Sequence, residues 1–160
     1  FNGLHIRQLS NEALAEKVIP YLVKAGIPAD LPTLVKISPI IRERLSTLDD
    51  AVDFCDFFFQ NVFPREEDLL GKNMSKSETL DVLEKSFEII QKISPITLEA
   101  GEPAMRAFVE NSGFSAGQVF GILRVAITGK KVSPPLFESM EILGADTVNK
   151  RIRTAIEVLK

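Results

Sequence analysis

Apolar residues recur at helical spacing along almost the whole chain, and turn-forming residues separate the runs. After Ser10, a good N-cap, Leu14, Val18 and Leu22 follow one another at intervals of four residues, and Gly26 supplies a helix stop. No alternation of apolar and polar residues typical of a strand lasts beyond about five positions. The pattern therefore predicts an all-α fold.

The same spacing predicts the remaining helices. Pro20 and Pro39 lie inside two of the helical runs, where a proline lacks the N–H and crowds the preceding turn, so we expect a kink and an interruption there. Gly113, Gly129 and Gly144 follow later runs and are expected to end them. The predicted spans after the first helix are about 33–45, 47–63, 80–90, 99–111, 116–128, 134–143 and 146–160.

A polar break interrupts the apolar pattern near the middle of the chain. The stretch from Arg65 to Lys76 contains Gly71, Asn73 and six charged residues. Breaks of this composition are typical of the surface segments that join compact units. We therefore predict two small helical subdomains in series, residues 1–64 and residues 65–160.

Charge is distributed unevenly along the chain. The 19 Lys and Arg residues stand against 22 Asp and Glu, for a formal net charge of −3. Residues 1–123 carry 12 basic and 18 acidic side chains, whereas residues 124–160 carry 7 and 4. A protein that coats nucleic acid or anionic membrane without selectivity should be clearly basic. Nucleic-acid contact must therefore be local, with the tail from Arg124 as the basic stretch, although a solvated helix face would give the same bias.

Catalytic motifs are missing from the sequence, which contains no GxSxG, GxxxxGK[ST], GxGxxG or HExxH. The single cysteine, Cys55, lies beside several phenylalanines and is expected to be a buried apolar residue. The single histidine, His5, excludes a His-His metal site. Gly113, Gly117 and Gly121 are spaced four apart, which favours close helix packing over a phosphate-binding loop. A small helical enzyme is therefore the least supported class.

The location of the protein in the cell is constrained only weakly. No apolar run approaches the ~20 residues of a membrane span, and no signal peptide opens the chain. Because the first residue is Phe1 rather than Met, we interpret the chain as a piece of a longer protein. We expect a cytoplasmic protein without membrane contact.

Asn73-Met74-Ser75-Lys76-Ser77 is similar to the KMSKS signature of class I aminoacyl-tRNA synthetases. That signature acts beside a nucleotide-binding fold with an HIGH-type sequence, and His5-Ile6-Arg7 is not one. Ser75 and Glu78 also form S-x-x-E directly before an apolar run, the pattern of a capping box. We predict a helix start here rather than a nucleotide site.

Residues 117–144 read GQVFGILRVAITGKKVSPPLFESMEILG. This segment resembles the C-terminal anticodon-binding domain of bacterial-type glutamyl-tRNA synthetases, in which Gly-Gln, Leu-Arg-x-Ala-[Leu/Ile]-Thr-Gly, [Ser/Thr]-Pro-x-Leu-Phe and Leu-Gly follow in this order. Three further places are similar to the family: FNGLHIRQL at residues 1–9, with His5 where Tyr is usual, YLVKAG at 21–26, and RERLSTL at 42–48. The resemblance covers essentially the whole chain.

The resemblance implies a helical cage of two anticodon-binding subdomains. It implies that the parent chain is a glutamate–tRNA ligase and that the partner is the anticodon loop of the tRNA for glutamate. ATP, magnesium and glutamate would bind elsewhere in the parent, so no cofactor, metal or catalytic residue is expected in this chain, which we expect to be a monomer. By resemblance, the residues that bind nucleic acid are Arg44, Arg124, Ser133, Pro134, Leu136 and Phe137.

Several of these residues have a second interpretation. At their spacing, Leu136 and Phe137 also fit a helix core. Arg44, which the resemblance places at the third anticodon base, would equally satisfy carbonyl groups at a helix end. Lys130 and Lys131 are candidate phosphate contacts, although paired lysines after a helix are commonly solvated.

A different class of function also fits the pattern. The run of Phe54, Phe57, Phe58 and Phe59 would form an exposed aromatic patch if it faced solvent, as in a helical protein–protein interaction module. The exposure of these rings distinguishes the two hypotheses.

Overall fold

The computed structural model describes residues 3–160, with side chains from His5 onward. Phe1 and Asn2, which begin the family-like junction, lie outside the described residues. All regular structure in the described part is helical, which confirms the all-α prediction. The helices are α1 (Gly3–Gln8), α2 (Asn11–Lys24), α3 (Leu31–Ile41), α4 (Asp50–Phe59), α5 (Glu66–Leu69), α6 (Lys76–Ile90), α7 (Leu98–Ser112), α8 (Ala116–Thr128), α9 (Leu136–Leu143) and α10 (Ala145–Leu159), with a 3-10 turn at Arg42–Arg44.

The chain divides into two compact units, residues 1–61 and residues 62–160. In the first unit, α2 packs along α3, and α4 packs against both. The hydroxyl of Ser10 accepts a hydrogen bond from the backbone N–H of Ala13 at 3.1 Å, as an N-cap does. The helix then continues through Pro20, which faces solvent. Its buried side contains the predicted stripe of Leu14, Val18 and Leu22, together with Ala15.

The second predicted helix is shorter than its apolar pattern indicates. The α-helix ends at Ile41 and tightens into the 3-10 turn, instead of continuing to residue 45. The carboxylate of Asp50 accepts hydrogen bonds from the backbone N–H groups of Ser46 at 2.9 Å and Thr47 at 3.1 Å. These two bonds hold the pKa of Asp50 below its ordinary value, and the bond from Thr47 has the larger effect. The chain is thereby turned into α4 rather than extended as helix.

The second unit is arranged around α8 and α10, which pack against each other and against both α6 and α9. The helix start at Ser75 is a capping box: its hydroxyl accepts from the N–H of Glu78 at 3.1 Å, and the Glu78 carboxylate accepts from the N–H of Ser75 at 2.9 Å. The prediction of a helix start in place of a nucleotide signature is confirmed. The wholly buried side chains of this unit include Leu69, Leu83, Ile90, Met105 and Ile122.

The helix predicted from residue 134 begins two residues later, at Leu136. The residue before a proline is disfavoured in the α conformation, so Pro134 is kept out of the helix by Pro135. Pro135 itself has a ψ of 135° and stands at the helix start as an extended residue. The pair of prolines therefore makes a stiff extended segment between α8 and α9.

The phenylalanine run of α4 does not form an exposed aromatic patch. Phe57 is 2% exposed, and its ring centroid lies 4.2 Å from that of Phe58. Phe54, Phe58 and Phe59 are half-buried. This removes the observation on which the protein–protein interaction hypothesis depended. No helix in the described residues has the length and apolar content needed to cross a membrane.

We expect Gly129→Ala to destabilise the chain more than Gly113→Ala does. Both glycines have positive φ, 73° and 82°, which costs an L-residue about 1–2 kcal/mol. A Cβ at Gly113 meets nothing within 4 Å, whereas a Cβ at Gly129 would lie 2.9 Å from Cγ1 of Val62. Urea unfolding of the two variants measures the difference. Equal losses of stability would contradict the close approach of Val62.

Candidate nucleic-acid interface

Arg124 closes the turn that connects α8 to α9. Its side chain is half-buried, and its Nη1 atom donates hydrogen bonds to the side-chain oxygen of Ser133 and, at 3.0 Å, to the carbonyl oxygen of Pro134. The hydroxyl of Ser133 in turn donates to that same carbonyl oxygen at 2.8 Å. Hydrogen bonds that involve a charged group are among the stronger ones in proteins. The structure therefore brings together three of the residues predicted to bind nucleic acid.

The end of α8 is fixed by its own cap. Gly129 adopts the left-handed conformation and donates its N–H to the carbonyl of Val125 at 2.8 Å. The hydroxyl of Thr128 donates to the carbonyl of Arg124 at 2.7 Å and accepts from the N–H of Lys130 at 3.1 Å. Because these groups are satisfied locally, the chain leaves the helix in one direction, with Lys130 and Lys131 directly after it.

Arg151 supports the same helix end and was not among the predicted site residues. Its Nη1 donates to the carbonyl oxygen of Ile127 at 2.7 Å, and burial lowers the pKa of Arg151 from its ordinary value. The residue lies three positions after Val148 and four before Ala155, both of them buried. Helical spacing therefore placed it on the inner face of α10, and that was the signal available in the sequence.

Leu136 and Phe137 belong to the core of the second unit. They are 4% and 7% exposed, and the Phe137 ring meets that of Phe120 edge-on, with the centroids 5.3 Å apart. Ser133 and Pro134 are buried as well. In this conformation the four side chains support the turn from inside. Their direct contact with RNA stays a prediction.

Arg44 lies in the first unit, on the 3-10 turn, and its side chain is exposed. Its Nη1 donates to the carbonyl oxygen of Ile40 at 3.3 Å, the helix-end contact that was its alternative interpretation. Arg42 is different, because it is half-buried and donates to the side-chain oxygen of Asn11. Of these two arginines, Arg44 is the one whose guanidinium is presented to solvent.

A cavity of about 390 Å³ lies beside α8 in the second unit. Gly117 and Gly121 line it, and a Cβ on Gly121 would meet no atom within 4 Å, while one on Gly117 would meet only the Ser115 hydroxyl at 3.7 Å. The prediction that these glycines allow close helix packing is therefore wrong. Lys72, Lys131 and Asp68 also line the cavity, so its wall carries charges of both signs.

The described residues offer little to covalent or metal chemistry. Burial raises the pKa of the Cys55 thiol to about 12, so it is a neutral thiol near pH 7 and a poor nucleophile. This agrees with its interpretation as a buried apolar residue. Residues 3–160 contain no group of three or more His, Cys, Asp or Glu side chains that would hold a metal ion. What the second unit does offer is a braced turn, a basic loop and an adjoining cavity.

Comparison with known proteins matches nearly the whole chain. A family model described as an anticodon binding domain matches residues 13–156. The glutamate–tRNA ligase of Roseiflexus sp. (strain RS-1) is 38% identical over 161 residues, which cover 96% of this chain and 32% of the relative. The ligase of Chloroflexus aurantiacus is 36% identical over 169 residues, with 99% and 34% covered.

A solved structure is similar as well. The crystal structure of a glutamate tRNA ligase from Elizabethkingia meningosepticum, in complex with its amino acid, has a TM-score of 0.84 and 25% identity, over 99% of this chain and 31% of that one. The chain thus spans about a third of the length of the relatives it matches.

We expect Arg124→Ala to destabilise the chain by about 1.5–3 kcal/mol, because hydrogen bonds to a charged group are lost and the Ser133–Pro134 turn is left unbraced. Arg153→Ala is the matched control, since Arg153 lies exposed on α10 and should change stability by less than about 0.5 kcal/mol. Urea unfolding measures both variants. If Arg124→Ala lowered the free energy of unfolding no more than the control does, the hydrogen bonds of Arg124 would not stabilise the fold.

Proposed function

The chain belongs to the anticodon binding domain family, and from that membership we propose that it recognises the anticodon loop of the tRNA for glutamate on behalf of a glutamate–tRNA ligase. The observation that carries the proposal is the match of this family over residues 13–156. The relatives are named glutamate–tRNA ligases, and from these names we infer that the tRNA is the one for glutamate. Both units act as anticodon-binding subdomains in this proposal.

Recognition of a single-stranded loop needs a surface that keeps its shape while bases unstack. RNA-binding proteins read such loops by stacking splayed bases on side chains and by hydrogen bonds to base edges. We propose that Arg124, Ser133, Pro134, Leu136 and Phe137 line the pocket for the anticodon loop and also give it stiffness, because their side chains brace and bury the turn after α8. The solvent side of that turn, with Lys131 at its start, then meets the RNA.

Arg44 is proposed to read the third base of the anticodon. Glutamate tRNAs carry cytosine there, whose Watson–Crick edge offers the adjacent acceptors N3 and O2, and a guanidinium has donors only. Glutamine tRNAs carry guanine, which presents N1–H and N2–H₂, so a donor would face donors. The exposure of the Arg44 side chain and its long, 3.3 Å bond to Ile40 leave the guanidinium easy to reorient. Arginine at this position therefore favours glutamate tRNA.

The chemistry of aminoacylation is assigned to other parts of the ligase. We propose that ATP, magnesium and glutamate bind outside these 160 residues, since the sequence contains no phosphate-binding motif and its KMSKS-like segment is a capping box. The parent protein is proposed to work in the cytoplasm as a monomer. The role of this chain is thus to select the tRNA rather than to act on it.

The experiment that tests the proposed function is a filter-binding titration of the 160-residue chain at several salt concentrations. The RNAs are the tRNAs for glutamate and glutamine and a glutamate tRNA whose anticodon loop is scrambled. We expect selective binding of the first that weakens as salt rises, because phosphate contacts release counterions. Equal affinity for the scrambled loop would contradict anticodon recognition.

In the same titration, we expect Arg44→Gln to reduce the ratio of the affinities for the glutamate and glutamine tRNAs. We expect this reduction to be larger than the loss of affinity for the glutamate tRNA itself. A glutamine amide both donates and accepts, so it is compatible with cytosine and with guanine. Arg42→Gln is the control, because Arg42 is held by Asn11 inside the first unit. If Arg44→Gln left the ratio of affinities unchanged while Arg42→Gln altered it, the third base would be read by the other arginine.

A further inference from the structure

An aromatic ring that none of the preceding contacts uses stands at the surface of the second unit. Phe63 is 81% exposed, and among the large apolar side chains of the described residues it is the most exposed. Val132, in the loop after α8, is the next most exposed, at 75%. An exposed phenyl ring keeps apolar surface in contact with water, so a ligand that covers the ring gains the free energy of burial.

The residue before Phe63 packs against the start of the loop formed by residues 129–132. Val62, its neighbour in the chain, packs so close to Gly129 that a Cβ there would lie 2.9 Å from the Val62 Cγ1 atom. Consecutive Cα atoms are 3.8 Å apart, so Phe63 lies within one residue of this contact. Pro64 follows and restricts Phe63 to extended backbone conformations. The backbone of Phe63 is thus restricted by the packing of Val62 before it and by Pro64 after it.

The charge of the loop against which Val62 packs favours RNA over a protein partner. The loop contributes Lys130 and Lys131, and Lys131 is exposed. Lysine is depleted in protein–protein interfaces relative to the rest of the surface, whereas an aromatic ring beside lysines is the combination that binds single-stranded nucleic acid. The loop also continues directly into the turn that Arg124 braces.

We propose that Phe63 is an RNA-binding residue, whose ring stacks on an unpaired base while Lys131 contacts a neighbouring phosphate. This inference rests on the proposed function, since the base belongs to the anticodon loop of the bound tRNA. Phe63 lies outside the segments that resemble known anticodon-binding positions, so it adds a contact rather than repeating one. The base is held by its face and not by its edge, which makes Phe63 a source of affinity rather than of sequence selectivity.

The test uses an anticodon stem-loop of the glutamate tRNA that carries 2-aminopurine, whose fluorescence is quenched by stacking, at each loop position in turn. Binding by the unaltered chain should change the fluorescence at one position or more. Phe63→Leu keeps an apolar side chain without a π-face, and we expect it to abolish the change at the stacked position and to weaken binding about 5- to 150-fold. Phe63→Tyr should keep both the fluorescence change and the affinity within about twofold.

Val23→Ala is the matched control, because Val23 is 60% exposed on α2 and is not among the residues proposed to contact RNA, so it should leave affinity and fluorescence unchanged. If the unaltered chain prefers the cognate loop but Phe63→Leu binds equally well, the inference is overturned and the proposed function stands. If the unaltered chain shows no preference for the cognate loop, the proposed function fails instead. A variant that loses thermal stability without losing affinity assigns the ring to packing and also overturns the inference.

Discussion

The guanidinium of Arg124 is the group on which the candidate interface depends. It ties α8 to a turn that contains two consecutive prolines. The turn in turn starts α9, whose first side chains, Leu136 and Phe137, enter the core. One charged side chain thus couples the hydrophobic core of the second unit to the direction in which a short surface loop leaves α8.

This coupling separates two roles that a motif alone does not distinguish. Arg124, Ser133 and Pro134 contact one another, so their side chains hold the turn. The residues that face solvent are their neighbours, such as Lys131 and Val132. A family motif marks positions whose replacement disturbs recognition. Replacing a residue that braces the turn disturbs recognition as much as replacing one that contacts the RNA. The geometry indicates that the motif of this chain includes residues that support the turn.

The local features of the fold could be predicted from sequence because they depend on neighbouring residues. The capping box at Ser75 and the left-handed stop at Gly129 each need only a few residues of context. Arg151 could have been placed on the inner face of α10 by spacing, but its bond to the end of α8 depends on how two helices pack. The prediction of close helix packing at the glycines of α8 was wrong for a related reason. Their spacing shows which face of the helix lacks side chains, but it does not show whether another helix or a cavity lies opposite that face.

The central claim is that RNA binds at the braced loop after α8. The most direct test is a ¹⁵N-resolved NMR titration of the 160-residue chain with the anticodon stem-loop of the glutamate tRNA, using a scrambled loop for comparison. The account predicts that the cognate loop shifts the amide resonances of residues 129–133, and that the scrambled loop does not. Shifts confined to the face of α6 and α10 that carries Glu84 and Arg153, with residues 129–133 unchanged, would contradict it.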